Sequence, residues 1–179
     1  MDRLFLDANV LFSAAYGNPD FKILWKRAGD GACLLLASPY VVEEVRRNLK
    51  DTGNLEALLE RVTLTPDPFP TPECPVALPS KDRPVLMAAI AAGATHLLTG
   101  DRKDFGAYYR KRVLGVLILP PADYLAESME RVREKTGAYS TVADPIEAIR
   151  GSGKGEGLLK TLLEERRKDR EREDKPRRG

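Results

Sequence analysis

"LLTGDRKDF", residues 97–105, carries an apolar, strand-like pair through Thr99 and Gly100 into two carboxylates, Asp101 and Asp104. "LFLDAN", residues 4–9, ends its apolar run on Asp7 in the same manner. An acid that ends a strand stands at the carboxyl edge of a sheet. In an open parallel sheet, ligands bind beyond that edge, at the point where the strand order reverses. The fold and the chemistry both depend on whether these two runs are neighbours.

Outward from them, short β-rich runs alternate with helix-like stretches, as βαβ units around a parallel sheet require. Strands are expected near residues 3–6, 32–37, 62–64, 95–98 and 116–119. "VLFSAA" and "FKILWKRAGDG" read as helices, the second stopped by Gly29 and Gly31. "SPYVVEEVRRNL" opens with Ser38 at the N-cap and Pro39 at the first helical position, then repeats apolar residues at Val41, Val42, Val45 and Leu49. "TPDPFPTPECPVALPS" is too rich in proline for either element and reads as an extended loop. "RPVLMAAIAAG" is a short alanine-rich helix, begun near Pro84 and stopped by Gly93, that feeds the fourth strand. A strand order of 3-2-1-4-5 makes the first and fourth strands neighbours, and Asp7 and Asp101 then share one crevice.

Asp82 precedes the alanine-rich helix and can reach the same mouth. Glu44 borders the apolar stripe of its helix and Glu43 lies further from it, a modest difference that leaves both open. Four or five carboxylates in one cleft repel and raise each other's pKa unless a cation neutralises them. Hard oxygen donors without His or Cys suit Mg²⁺ or Mn²⁺. Each acid also has a plainer reading: Asp7, Asp82 and Asp104 can cap helices, and Glu43 and Glu44 can be solvated. Their joint placement favours a site.

Composition allows one moderate core and a solvated segment: 179 residues, 42% hydrophobic and 31% charged. The net charge of +2 is spread so that acids and bases balance through residue 126, which leaves only a local patch for gripping nucleic acid. Arg83, Arg102, Lys103, Arg110, Lys111 and Arg112 lie near the expected mouth. Tyr108 and Tyr109 are expected to pack in the core rather than stack on bases, and His96, inside a strand, to be structural. Cys33 and Cys74 form no CxxC pair, so neither a disulfide framework nor a zinc site is expected. No apolar run approaches the roughly 20 residues of a membrane span and the start lacks a signal-peptide layout, so a cytoplasmic protein is expected.

"LFLDANVLFSA", "SPYVVEEVRRNL", "DRPVLMAAIAAGATHLLTGDRKDF" and "VLGVLILPPADYL" together resemble the PIN domain, in particular the VapC-like ribonuclease toxins, over roughly residues 3–126. The resemblance implies a three-layer α/β/α domain with a central parallel sheet and a divalent-metal-dependent ribonuclease site cutting RNA to 5′-phosphate and 3′-hydroxyl ends. By motif, Asp7 matches the first-strand aspartate, Glu44 the helix glutamate, Asp82 the aspartate before the alanine-rich helix, Asp101 the one in the "TGD" turn and Asp104 an additional acid. Mg²⁺ or Mn²⁺ would sit chiefly on Asp7 and Asp101, with Glu44, Asp82 and Asp104 completing the shell and Asn9 and Thr99 hydrogen-bonding its oxygens. A homodimer is expected because such toxins commonly pair and because "FKILWKRAG" and "LEALLERV" carry apolar positions beyond the needs of a small sheet. Two rivals remain: a haloacid-dehalogenase-type phosphatase, which wants an acid where Asn9 stands, and a catalytically silent PIN-like RNA-binding or regulatory module.

The expected domain ends at residue 128, with a helix from Glu127 through "SMERVREK"; residues 129–143 are its end and a linker. Residues 144–179 are expected to form an amphipathic, then purely charged, helical tail, and they resemble the C-terminal part of VapB-type antitoxins. That likeness implies an antitoxin-like arm in which Arg150 or Lys154 enters the acidic cleft. "GSGKGEG" lacks the spacing of a phosphate-binding loop.

Overall fold

The computed structural model describes residues 1–69 and 72–136. The tail, with Arg150 and Lys154, lies outside the described residues. Met1–Thr136 forms one compact unit.

Three consecutive residues of the first strand, Leu4, Phe5 and Leu6, are buried, although side chains in a strand alternate between faces. Both faces of the sheet must therefore be covered, as in a layered α/β domain. The chain order is β1 (Asp2–Leu6), α1 (Ala8–Ala15), α2 (Pro19–Gly29), β2 (Cys33–Ala37), α3 (Pro39–Asn48), α4 (Gly53–Leu59), β3 (Val62–Leu64), α5 (Arg83–Ala91), β4 (His96–Leu98), β5 (Arg112–Val113), β6 (Val116–Leu119) and α6 (Pro121–Thr136). The strands lie in the order β3-β2-β1-β4-β6-β5. β1 pairs in parallel with β2 on one side and β4 on the other, with Leu6 opposite Leu98, so the chain segments leading to Asp7 and Asp101 leave the sheet side by side. The five expected strands are all present in the expected order.

β5 is an addition to that expectation. It pairs antiparallel with β6 through a two-residue turn in which Leu114 and Gly115 have φ of 44° and 91°, the conformation of a tight hairpin. The sheet is therefore mixed, mainly parallel with one antiparallel edge. α6 begins at Pro121, six residues before the expected start, and runs past residue 128 to Thr136.

Helix ends follow the sequence signals in part. After α5, Gly93 (φ 62°) donates to Ile90 O at 2.9 Å and Ala94 to Ala89 O at 3.0 Å, a left-handed cap that glycine adopts without penalty. Ser38 holds the N-cap position of α3, but its hydroxyl makes no cap bond and is buried without a partner. Among the described residues no helix is long and apolar enough to cross a membrane.

Candidate metal centre

Asp7 follows β1 directly and starts α1, and it is buried. One oxygen accepts from Ala8 N at 2.6 Å, so the capping reading holds for this residue. Its other oxygen accepts from the Thr99 hydroxyl at 2.7 Å and from the Asn9 amide. Asn9 also accepts from Gly100 N at 2.8 Å, and Thr99 Oγ1 accepts from Asp101 N at 3.0 Å. These bonds tie the end of β1 to the turn after β4. A side chain at Gly100 would press on Asn9, its Cβ only 3.3 Å from Oδ1. Burial pushes the Asp7 carboxyl up to about 6; the Thr99 and Ala8 bonds oppose the rise, and the charges of Glu44 and Asp101 add to it.

Asp101 folds back on its own turn, one oxygen accepting from Lys103 N at 2.9 Å and from Asp104 N at 3.1 Å. Asp82, at the N-terminus of α5, makes no cap bond. Its Oδ2 is buried without any partner, a costly state for a carboxylate oxygen unless something else binds it. Burial raises Asp82 to about 6; Lys81 opposes this and the neighbouring Asp104 carboxylate reinforces it. Asp104 caps nothing: it pairs with Lys81, whose hydrogen bond holds its carboxyl below the usual range. Oxygens of Asp82, Asp101 and Asp104 lie within 4.8 Å of one another, near enough for one cation to touch all three.

The two glutamates of α3 part company. Glu43 is spent on the surface, bonding Arg46 at 2.8 Å, and Arg46 also holds Glu56. Glu44 is half-buried, and its charge is felt at both Asp7 and Tyr40.

Lys81 carries no signal in the sequence beyond its place before Asp82, where a loop lysine reads as a solvated charge. Its Nζ lies 3.0 Å from Asp104, 3.6 Å from Asp82 and 3.9 Å from Asp101. The Tyr40 hydroxyl donates to its carbonyl at 3.0 Å. Burial works against the ammonium charge, but the Asp104 bond and the three carboxylates outweigh it and raise the Lys81 pKa.

The basic residues expected at the mouth divide. Arg102 and Lys103 are exposed beside the Asp101 turn. Arg110 is bound to Asp123 at 2.8 Å and faces Glu127 at 3.8 Å. Arg112 is not at the mouth: it lines a cavity of about 460 Å³ with Asp2, Thr95 and His96, at the opposite end of the strands. The antiparallel β5 carries it there. Tyr109 donates to Thr99 O at 3.1 Å, and burial, with Asp101 nearby, raises its hydroxyl to about 12. Tyr108 donates to Ala77 O. His96 is buried, contacts Thr95 Oγ1 at 2.8 Å and meets Tyr124 edge-on, with burial lowering its pKa.

The donor set fits a hard divalent cation: Asp101 and Asp104 after β4 and Asp82 before α5, a buried oxygen without a partner, and no His or Cys among them. Asp7, at the end of β1, is not one of these three, although the charge of Asp101 reaches it. No curated protein matches the chain significantly. Among solved structures, a chain in the crystal structure of VapBC2 from Rickettsia felis bound to a DNA fragment from their promoter matches with a TM-score of 0.51 and 17% identity, over 66% of this chain and 98% of that one. At that identity the likeness concerns the fold, and it agrees with the layered α/β architecture. A family model for the PIN domain matches residues 3–103, which contain Asp7, Glu44, Asp82 and Asp101. With more than half its length so matched, the chain belongs to the PIN domain family.

Proposed function

We propose that this protein is a divalent-metal-dependent endoribonuclease of the toxin–antitoxin kind. The observation that carries the reading is the cluster of Asp82, Asp101 and Asp104 beside the carboxyl end of β4, with the buried Asp82 Oδ2 lacking a partner and the charge of Asp101 felt at Asp7. Asp7 and Asp101 would be the principal ligands of Mg²⁺ or Mn²⁺, with Glu44, Asp82 and Asp104 completing the shell. A bound ion of this kind supplies a hydroxide at neutral pH and a counter-charge for the departing oxygen. The chain's own part is orientation: Thr99 and Asn9 hold the Asp7 carboxylate by one oxygen, and the Asp101 turn fixes a second carboxylate through backbone amides. Arg102 and Lys103, exposed beside that turn, are placed to meet RNA phosphates.

The similar structure is a toxin–antitoxin pair, which supports a partner of antitoxin type here. That partner would be a separate chain or residues 144–179 of this one, with Arg150 or Lys154 entering the acidic cleft. A homodimer in the cytoplasm completes the proposal, and light scattering giving a monomer mass at tens of micromolar would remove the dimer from it.

Incubation of the purified protein with structured and unstructured RNAs, with Mn²⁺ or with chelator, tests the activity. Cleavage confined to the Mn²⁺ arm is expected. RNA binding without cleavage in both arms would identify a silent module instead. A chain ending at Thr136 should cut faster than the full chain, and equal rates would refute restraint by the tail.

A further inference from the structure

Three carboxylates within reach of one cation are held with a cation of the chain's own among them. The Lys81 ammonium contacts Asp104 at 3.0 Å and stands 3.6 Å and 3.9 Å from Asp82 and Asp101. Its backbone is fixed by the Tyr40 hydroxyl on its carbonyl and by the N-cap of α5 in the next residue, Asp82. Its side chain is half-exposed, at 53%, so the four-carbon stem can turn outward without disturbing either anchor.

We propose that Lys81 is a resident counter-cation of the Asp82–Asp101–Asp104 cluster, and that a divalent ion must displace its ammonium group to bind there. The inference rests on the metal-centre reading above. A Mg²⁺-sized ion bonds carboxylate oxygen at about 2.1 Å. An ion on the Asp104 oxygen that holds Lys81 therefore lies no more than about 5 Å from Nζ. At that separation like charges repel, and both cations draw on the same three carboxylates. Lys81 accordingly does two opposed things. Without a divalent ion it neutralises acids that would otherwise repel one another, keeping the cluster assembled. When an ion arrives it weakens binding, because its own ion pairs must first be given up. The acids stay in place at low metal, and occupancy responds to the metal concentration instead of being permanent.

Titration calorimetry of Mn²⁺ into the full-length chain and its Lys81→Gln and Lys81→Arg variants tests this, alongside melting curves in chelator. Lys81→Gln keeps the stem and removes the charge. It is expected to bind Mn²⁺ about two- to fivefold more tightly than the unsubstituted chain, the range set by partly exposed ion pairs. It is also expected to melt lower in chelator and to gain more from Mn²⁺. Lys81→Arg keeps the charge and should stay within about twofold of the unsubstituted chain. Unchanged or weaker Mn²⁺ binding by Lys81→Gln, with the unsubstituted chain binding normally, overturns the role of Lys81 and leaves the metal centre standing. A drop in melting temperature without a gain in affinity marks Lys81 as merely structural and also overturns it. Absence of Mn²⁺ binding in all three chains overturns the metal centre and the Lys81 proposal together.

Discussion

Both ends of the parallel strands carry acids, and their settings differ. At the amino end, Asp2 accepts from the buried Tyr124 hydroxyl at 3.0 Å and from Arg131 at 3.1 Å. Burial, with Asp2 close by, raises the Tyr124 pKa, so the phenol stays protonated and keeps donating. At the carboxyl end, Asp7 and Asp82 are held up at about 6, and Asp82 keeps a buried oxygen with no partner. An acid that serves the fold is answered by donors from its own chain. At the carboxyl end Asp7, Asp101 and Asp104 also have donors of their own, but three acids crowd together there and one Asp82 oxygen has no partner, a setting suited to a cation.

Substitutions at the two ends should separate accordingly. The largest effect is expected from Asp101→Asn, which removes the charge of a proposed ligand: RNA cleavage should fall by at least about a thousandfold, the scale of several kcal/mol of charge stabilisation, with the fold intact by circular dichroism. Glu44→Gln should cost about 10- to 100-fold in cleavage rate, as expected of a residue that supports the site from its border.

The contrast also has a pH signature. Asp7 has an unfolded value near 3.8 and a folded value of about 6, so the folded chain binds the extra proton. Without divalent metal, the contribution of Asp7 to stability is fully present below about 3.8 and is lost as pH rises through 6. Lowering the pH from 7 to 5 in chelator should then stabilise the protein by about 1–2 kcal/mol, read by denaturant melts, and saturating Mn²⁺ should flatten the trend. Asp2→Ala at the other end should cost about 1–2 kcal/mol in the same melts by stranding the Tyr124 hydroxyl, with cleavage per folded molecule unchanged. The smallest effect belongs to Glu43→Gln, which gives up only an exposed pair with Arg46: within about 0.5 kcal/mol of stability and twofold of activity. If Glu43→Gln impaired cleavage more than Glu44→Gln, the assignment of the α3 residue would be reversed.

What could be read from the sequence was what local pattern dictates. Apolar runs ending on Asp7 and before Asp101, glycine stops at Gly31 and Gly93, and an alanine-rich helix between prolines and glycine are local, and each element formed where its pattern lies. Helical crossovers between parallel strands leave the strand order open, and the structure selects 3-2-1-4. β5 escaped because two residues carry no periodicity and its turn is Leu114–Gly115 instead of the usual Asn-Gly signal. The destinations of long charged side chains escaped as well. Arg110 turns to Asp123, Arg112 goes to the far end with the hairpin, and Lys81 turns inward among acids. Such choices depend on tertiary neighbours that no local window contains.

The crowded acids at the carboxyl end, and not Asp2 at the amino end, are proposed to bind the catalytic ion. Anomalous scattering from a crystal grown with Mn²⁺ tests it most directly. A peak is expected within about 2.5 Å of carboxylate oxygens of Asp101 and its neighbours Asp7, Asp82 or Asp104. A peak instead beside Asp2, Glu127 and Glu130, or none at the Asp101 end in a crystal saturated with Mn²⁺, would contradict it.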